Sequence, residues 1–349
     1  MDTNRFTNIL ISNKEKSDFN FVDNLENPIP IYVVPLRRNV NFFTDISCLF
    51  QIIKILKEVR PDLIHCHSSK AGIIGRIAGA YLRIPTLYTP HAFSYLSAKN
   101  SLLKLFYKSI EKCFVVFPSS ILACSKSEYN RALIDLKFKK KNIYLWENSI
   151  EDPVCLGPLN ATKSTKNTYL CSVGRASYQK NFEMLIRTIS FVKKSINDIQ
   201  LIIIGIGNTS KQKKDLVALI KSMELTENVT LIQWLDRRET LNLINQSNIY
   251  LSSSLYEGLP YAVLEAISLS KPCIVTNVDG NKDLISDTFN GFLIEKNEEE
   301  TMAQKIIALL NDKESLKIMS NNSKMVFIEK YNIINNIKKL EEIYLKKIA

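Results

Sequence analysis

The chain has 349 residues, more than one hydrophobic core usually serves, so two domains of ordinary size are expected. No apolar run reaches the roughly 18 residues that a spanning helix needs; the best, Phe114 to Cys124, is broken by Pro118, Ser119 and Ser120. The net charge of +11 is uneven, because residues 1–150 hold 21 Lys and Arg against 12 Asp and Glu and so carry +9 of it. Seven scattered cysteines without a Cys-x-x-Cys pair argue against a disulfide framework or a structural zinc site, and the start, MDTNRFTNIL, has no signal-peptide core. A reducing cytoplasm fits this usage.

Short apolar runs alternate with helical periodicity along the whole chain, which predicts an α/β protein built on parallel sheets. In the first half the expected strands are Ile31–Val34, Asp62–Cys66, Thr86–Thr89, Ser120–Cys124 and Asn142–Leu145, with helices over Ile46–Val59 and Ala71–Leu82. The run Pro153 to Thr168 is polar, starts with Pro and Gly, lacks periodicity and reads as a linker. Beyond it, Tyr169–Val173, Gln200–Ile204, Val229–Gln233, Ile249–Ser252, Cys273–Thr276 and Gly291–Ile294 repeat the arrangement. The last segment, from Ile333, is helical and charged. The boundaries that follow are 1–152, a linker 153–168, 169–332, and a terminal helix 333–349.

The segment Ser254 to Ala266, SLYEGLPYAVLEA, combines a strand end, a Gly-Leu-Pro turn and a helix start at Pro260. Glu257 then stays on the loop while Glu265 lies about one turn inside the helix, and both can face the carboxyl end of the sheet, where ligands of open α/β sheets bind. The free N–H groups and dipole of a helix start suit phosphate, and a diphosphate beside two carboxylates suggests a nucleotide-sugar. The plainer reading makes Glu257 a cap and Glu265 a solvated face residue. In VGRASYQKN, Arg175 and Lys180 follow a strand and Asn181 can cap the next helix, an arrangement suited to clamping phosphate. All three histidines fall within 27 residues: His65 and His67 in IHCHSSKAG, and His91 in TPHAFSY. His65 and His67 share a strand face, yet no third ligand stands at metal-site spacing, so no metal is assigned.

The two segments SLYEGLPYAVLEA and KPCIVTNVDGNKDLI resemble the signature of the family-4 glycosyltransferases, retaining enzymes of the GT-B fold. HSSKAG and TPHAFSY resemble first-domain motifs of members that build surface polysaccharides such as O-antigen, capsule and exopolysaccharide. The resemblance runs from about Pro61 to Gly291. It implies two Rossmann-like domains whose parallel sheets face a cleft, with the terminal helix crossing back to the first domain. It also implies transfer of a hexose, with retention, from a nucleotide-diphosphate-sugar (a UDP-sugar) to a growing oligosaccharide linked to a polyprenyl diphosphate, with no cofactor. Glu265 would accept from the donor ribose, Glu257 and His91 would act at the transferred sugar, and Arg175, Lys180 and the N–H groups around Gly258, Leu259, Tyr261 and Ala262 would hold the diphosphate. His67, Lys70 and Gly72 would lie on the acceptor or phosphate side.

Two departures stand out: Asn148-Ser149-Ile150-Glu151 replaces the usual Asn-Gly-Ile-Asp, and no glycine precedes Gly72, so the first domain is expected to lack its opening strand and Gly-rich loop. The basic first half predicts an anionic membrane partner and a place on the cytoplasmic membrane face. In it, Leu102 to Lys112 forms an amphipathic pattern with Lys104, Lys108 and Lys112 at four-residue spacing; core packing is the alternative. The densest charge run, Lys137 to Lys141, also suits a solvated turn. No zinc-finger spacing, RNA-binding signature or aromatic-interleaved basic stripe supports nucleic acid. Two rival functions are an NAD(P)-dependent oxidoreductase, on the partial fingerprint Gly205-Ile206-Gly207, and a degenerate, non-catalytic nucleotide-sugar-binding protein.

Overall fold

The computed structural model describes residues 1–13, 21–23, 25–37, 41–98, 100–157, 169–207 and 211–349. The chain forms two compact units, Met1–Trp146 with Asn336–Ala349, and Glu147–Asn335.

The first unit runs β1 (Leu10–Ser12), β2 (Ile31–Val33), α1 (Phe42–Val59), β3 (Ile64–His67), α2 (Ser69–Leu82), β4 (Thr86–Thr89), α3 (Ser101–Cys113), β5 (Ser119–Ala123), α4 (Lys126–Ile134) and β6 (Ile143–Leu145). Strands β3 to β6 pair in sequence order as one parallel sheet, and β1 pairs with β2 in parallel as a second. Leu10↔Ile31 to Ser12↔Val33 are in register, and among the described residues no strand pairing joins β1 or β2 to the β3–β6 sheet. The loop after β1 falls mostly on residues 14–20, outside the described residues, and has no glycine. Helix α1 starts four residues earlier than its apolar pattern suggested, because Asn41 caps it by accepting from the Thr44 N–H at 3.1 Å.

Side-chain alternation on β4 and β5 divides the core in two. Tyr88 and Ile121 pack with Phe93, Tyr95 and Leu136, whereas Leu87 and Leu122 pack with Leu340 and Ile343 of the final helix, Ile333–Ile348. That helix is fastened further by Trp146 Nε1, which donates to the Asn336 carbonyl, and by Tyr344 against His65. Glycines bring α2 close to the sheet: a Cβ at Gly75 would stand 2.1 Å from Cys66 Sγ.

The second unit runs β7 (Tyr169–Val173), α5 (Phe182–Lys193), β8 (Gln200–Ile204), α6 (Lys211–Ser222), β9 (Val229–Ile232), α7 (Arg237–Gln246), β10 (Ile249–Ser252), α8 (Tyr261–Ser268), β11 (Cys273–Thr276), α9 (Asn281–Leu284), β12 (Gly291–Ile294), α10 (Glu299–Asn311) and α11 (Lys313–Val326). The final helix is α12. The six strands form one parallel sheet in the order β12-β11-β10-β7-β8-β9, so the order reverses between β7 and β10. The unit begins at Glu147 rather than at the expected linker, because Ile150 exchanges backbone hydrogen bonds with Tyr331 and Ile333. Most of the predicted linker, residues 158–168, lies outside the described residues.

Candidate active site

In the second unit the carboxyl ends of β7 and β10, the neighbours at the order reversal, carry the two motifs singled out from sequence. Glu257 leaves β10 on a short loop and is only 7% exposed. Its Oε1 accepts from Lys180 Nζ and from Ser254 Oγ, both at 2.7 Å, and its Oε2 accepts from Gln179 Nε2 at 3.1 Å. Such a carboxylate is held by one cation and two neutral donors, which offsets its desolvation. The aliphatic stem of Lys180 lies over Gly174, where a Cβ would come within 2.9 Å of it. Arg175, next in the chain to Gly174, is exposed.

Asn181 occupies the cap position of α5 in a left-handed conformation, φ 47°, and makes no side-chain cap bond, contrary to expectation. Ser253 Oγ donates instead to the carbonyls of Lys180 and Asn181, tying β10 to the Lys180 loop.

Helix α8 begins after Pro260, and Leu264 is the first residue whose N–H is taken up by the helix, on the Pro260 carbonyl. The peptide before it is fixed by Asn148 Nδ2, which donates to the Leu259 carbonyl at 3.1 Å. Gly280, at φ +80°, lets the next loop approach: a Cβ there would stand 2.7 Å from the Gly258 carbonyl oxygen and 3.1 Å from the Glu257 Cβ. Glu265 lines a cavity of about 380 Å³ with Tyr261, Arg237, Ser149, Ile150, Glu151 and Ile333. Burial raises the Glu265 carboxyl above its ordinary value, and Arg237, whose Nε is 3.8 Å away, opposes that rise. Gln179, Ser254 and Arg237 were not singled out from sequence, and Asn148 was noted only as the start of the Asn148–Glu151 motif, without a role. Gln179 and Ser254 adjoin residues that were, but neither carries a signal of its own.

Gly205, at φ +102°, packs its α-carbon against the Gly174 carbonyl, 2.6 Å from where a Cβ would lie. The close approach of β7 and β8 accounts for this glycine without a dinucleotide, and Asn208-Thr209-Ser210 lie outside the described residues.

In the first unit the ends of β3 and β4 bring the three histidines together. The His65 and His67 rings lie 4.1 Å apart, and His67 Nδ1 is 3.0 Å from His91 Nε2. Thr89 Oγ1 gives its hydrogen to the Leu122 carbonyl and must accept from His65 Nε2, so His65 Nδ1 accepts from the Tyr344 hydroxyl at 2.6 Å. Burial and the neighbouring imidazoles hold His65 well below the ordinary histidine range, and burial with His67 also lowers His91. No cluster of three or more His, Cys, Asp or Glu suited to a metal occurs among the described residues.

The unfolded chain takes up protons first on both histidines, so stability should fall as pH drops from about 6.5 toward 4. His65 carries the larger share, since His91 keeps a solvent-facing surface. Urea midpoints across that range should fall, and less steeply in His65→Gln; identical slopes would refute the assignment.

Lys70 and Gly72 each have a structural partner within the first unit. Lys70 Nζ lies 2.6 Å from an Asp45 carboxylate oxygen and donates to the Arg37 carbonyl at 2.8 Å, so it ties α2 to α1 and the segment before it. Gly72 is buried beneath Tyr88, whose ring would meet a Cβ at 2.4 Å, and so serves packing. Lys108 likewise leaves the expected basic stripe to pair with Asp135 at 3.0 Å.

A phosphate-suited helix start, a basic pair and a buried carboxylate at a sheet reversal define a nucleotide-handling α/β protein. The comparisons give the class. Residues 9–152 match the family described as Glycosyltransferase Family 4, and residues 160–326 match Glycosyl transferases group 1, a wider span than the motifs alone suggested. The chain is 30% identical over 340 residues to a UDP-Gal:alpha-D-GlcNAc-diphosphoundecaprenol alpha-1,3-galactosyltransferase of Escherichia coli, covering 94% of this chain and 86% of that one. It is 23% identical to the capsular polysaccharide biosynthesis glycosyltransferase CapM of Staphylococcus aureus, covering 90% and 84%. Among solved structures it is similar to Anabaena Alr3699/HepE in complex with UDP-glucose, with a TM-score of 0.76, 18% identity and coverage of 91% and 86%. It also resembles the sucrose-phosphate synthase of Thermosynechococcus elongatus, with a TM-score of 0.79, 15% identity and coverage of 97% and 88%. The fold is GT-B, and the chain belongs to the family-4 glycosyltransferases.

Proposed function

We propose that this glycosyltransferase moves a hexose from a UDP-hexose to a sugar carried on a polyprenyl diphosphate during surface-polysaccharide assembly, with retained anomeric configuration. The observation that carries the reading is the near full-length similarity to the undecaprenol-linked galactosyltransferase. The acceptor hydroxyl bonds to the anomeric carbon on the face that the leaving UDP vacates, the bond to the diphosphate oxygen breaks, and the hydroxyl proton passes to that oxygen. Charge grows on the diphosphate, where Arg175, Lys180 and the N–H groups at Gly258, Leu259, Tyr261 and Ala262 stabilise it.

Lys180 has three N–H donors, so it can keep Glu257 and still meet phosphate. Glu257 Oε2 retains a lone pair for a hydroxyl of the hexose, and Glu265 accepts from the ribose. In the first unit His91 acts at the transferred hexose and His67 on the acceptor side. The geometry offers no support for an oxidoreductase.

Transfer from UDP-galactose to a synthetic N-acetylglucosaminyl-diphospho-lipid, with the product anomer read by NMR, tests the reaction; no transfer from any UDP-hexose overturns it. Glu265→Gln offers one oxygen where the carboxylate offers two, so donor affinity should fall by about 1–3 kcal/mol, roughly 5- to 150-fold. Calorimetric titration with UDP-galactose checks this, and unchanged affinity would remove Glu265 from the ribose.

We further propose that the first unit docks on an anionic membrane, on the cytoplasmic face. No helix among the described residues is long and apolar enough to cross one. Instead α3 buries only Glu111 fully and leaves Leu102, Leu105 and Phe106 exposed beside Lys104 and Lys112, with Val116 just beyond. Helix α1 exposes Phe42, Phe43 and Phe50. These apolar side chains are not core, which is why an interfacial role is the better reading of the pattern. Attraction of about 1 kcal/mol per Lys or Arg, screened by salt, predicts co-sedimentation with anionic vesicles that declines at high ionic strength. Equal pelleting with neutral vesicles would refute it.

A further inference from the structure

We propose that Glu128 is a positioning residue for His91, holding a backbone turn that His91 does not adopt readily on its own; the inference rests on the proposed role of His91 at the hexose. His91 and Ala92 are consecutive non-glycine residues in the left-handed region, with φ of 53° and 77°. That conformation is unfavourable for residues with a Cβ and persists only where the surroundings enforce it.

Two anchors flank the turn. Pro90 is buried before it, and Phe93 is buried after it and stacked on Tyr95 at 5.6 Å. At the turn itself the Ala92 N–H donates to Glu128 Oε1 at 2.9 Å. The other oxygen, Oε2, accepts from the Cys124 N–H at 2.8 Å, and Glu128 is 3% exposed. Its backbone N–H is in turn held by Ser125 Oγ, which caps α4 at 3.0 Å.

One side chain thus joins the end of β5 to the His91 turn, and both of its oxygens receive a backbone hydrogen bond. A glutamine of the same shape offers one acceptor and would set an NH₂ group against an N–H donor. With Ala92 released, the turn loses the bond that compensates its backbone conformation, and the imidazole loses its place beside His67.

The test uses the full-length protein with UDP-galactose and the lipid-diphosphate acceptor, in Glu128→Gln, His91→Ala and the double variant Ala92→Gly/Glu128→Gln. Glu128→Gln is expected to lower kcat by about tenfold while KM for UDP-galactose stays within about twofold, since misplacement rather than lost binding is at issue. Glycine adopts a positive φ without steric cost, so the double variant should regain most of the lost kcat, a rescue that a general loss of packing would not produce. With three histidines in the chain, the ring ¹⁵N spectrum reads placement without turnover. His91 and His67 signals should move in Glu128→Gln while His65 stays.

An unchanged His91 signal, or wild-type kcat in Glu128→Gln, overturns the inference. A moved signal with full activity in His91→Ala instead shows that the reading of His91 fails, and the positioning of turnover with it. Should Glu128→Gln fold poorly, Glu128→Asp is the second variant: it keeps the carboxylate at the start of α4 but is too short to reach both N–H groups.

Discussion

Arg175→Ala and Lys180→Ala are each expected to lower kcat by about 10²-fold, the usual effect of deleting one donor that meets charge developing in a transition state. The two should separate in stability. Arg175 is exposed, so its loss should leave the urea midpoint unchanged. Lys180 is the cation on Glu257, whose side chain is 8% exposed, and its removal strands a nearly buried carboxylate with two neutral donors. The expected cost is about 1–3 kcal/mol, below that of a fully buried pair because Lys180 keeps contact with solvent. Steady-state kinetics with urea titration checks both. Turnover of both variants within about twofold of wild type would show that the clamp is misassigned.

The largest effect on stability should come from the first unit, at Arg76. Its guanidinium is 1% exposed, donates to the Gly72 carbonyl and to Glu111 Oε2 at 3.2 Å, and lies 4.3 Å from the Tyr88 ring centre and 4.5 Å from that of Phe114. Tyr88 adds a hydrogen bond to Glu111 Oε1 at 3.0 Å. Arg76→Met keeps much of the volume but leaves Glu111 buried without its cation, which should cost about 3–5 kcal/mol. The double variant Arg76→Met/Glu111→Leu removes both charges and should recover more than half of that loss. A double-mutant cycle on urea midpoints measures the coupling; a single-variant cost under about 1 kcal/mol would refute it.

Arg76 also shows where reading the sequence runs out. Arginine is almost never fully buried unless paired, and its partner stands 35 residues away on another helix. Nothing local announces the pair. The same holds for Lys70 and Lys108, which the sequence pattern left facing solvent or phosphate and which the fold turns onto Asp45 and Asp135. By contrast, Tyr169–Val173, Gln200–Ile204, Ile249–Ser252, Cys273–Thr276 and Gly291–Ile294 are strands over their expected ranges, because a strand buried on both faces is written as one apolar run. The short strand Leu10–Ser12 escaped notice, since it is only three residues long and its partner is 21 residues on.

By itself the sequence determined the alternation of strands and helices, the two-part organisation, the Glu257–Glu265 loop and helix start, and the family those motifs mark. All of these are local: periodicity, turn chemistry and short motifs act within one or two elements. Only the tertiary structure decided which strands flank the order reversal, that Gln179 and Ser254 hold Glu257, that Glu128 braces the His91 turn, and that the apolar face of α3 lies outside the core. The partner of a buried charge or a strained peptide comes from residues distant in the chain, through sheet register and helix packing, and no local pattern records that choice.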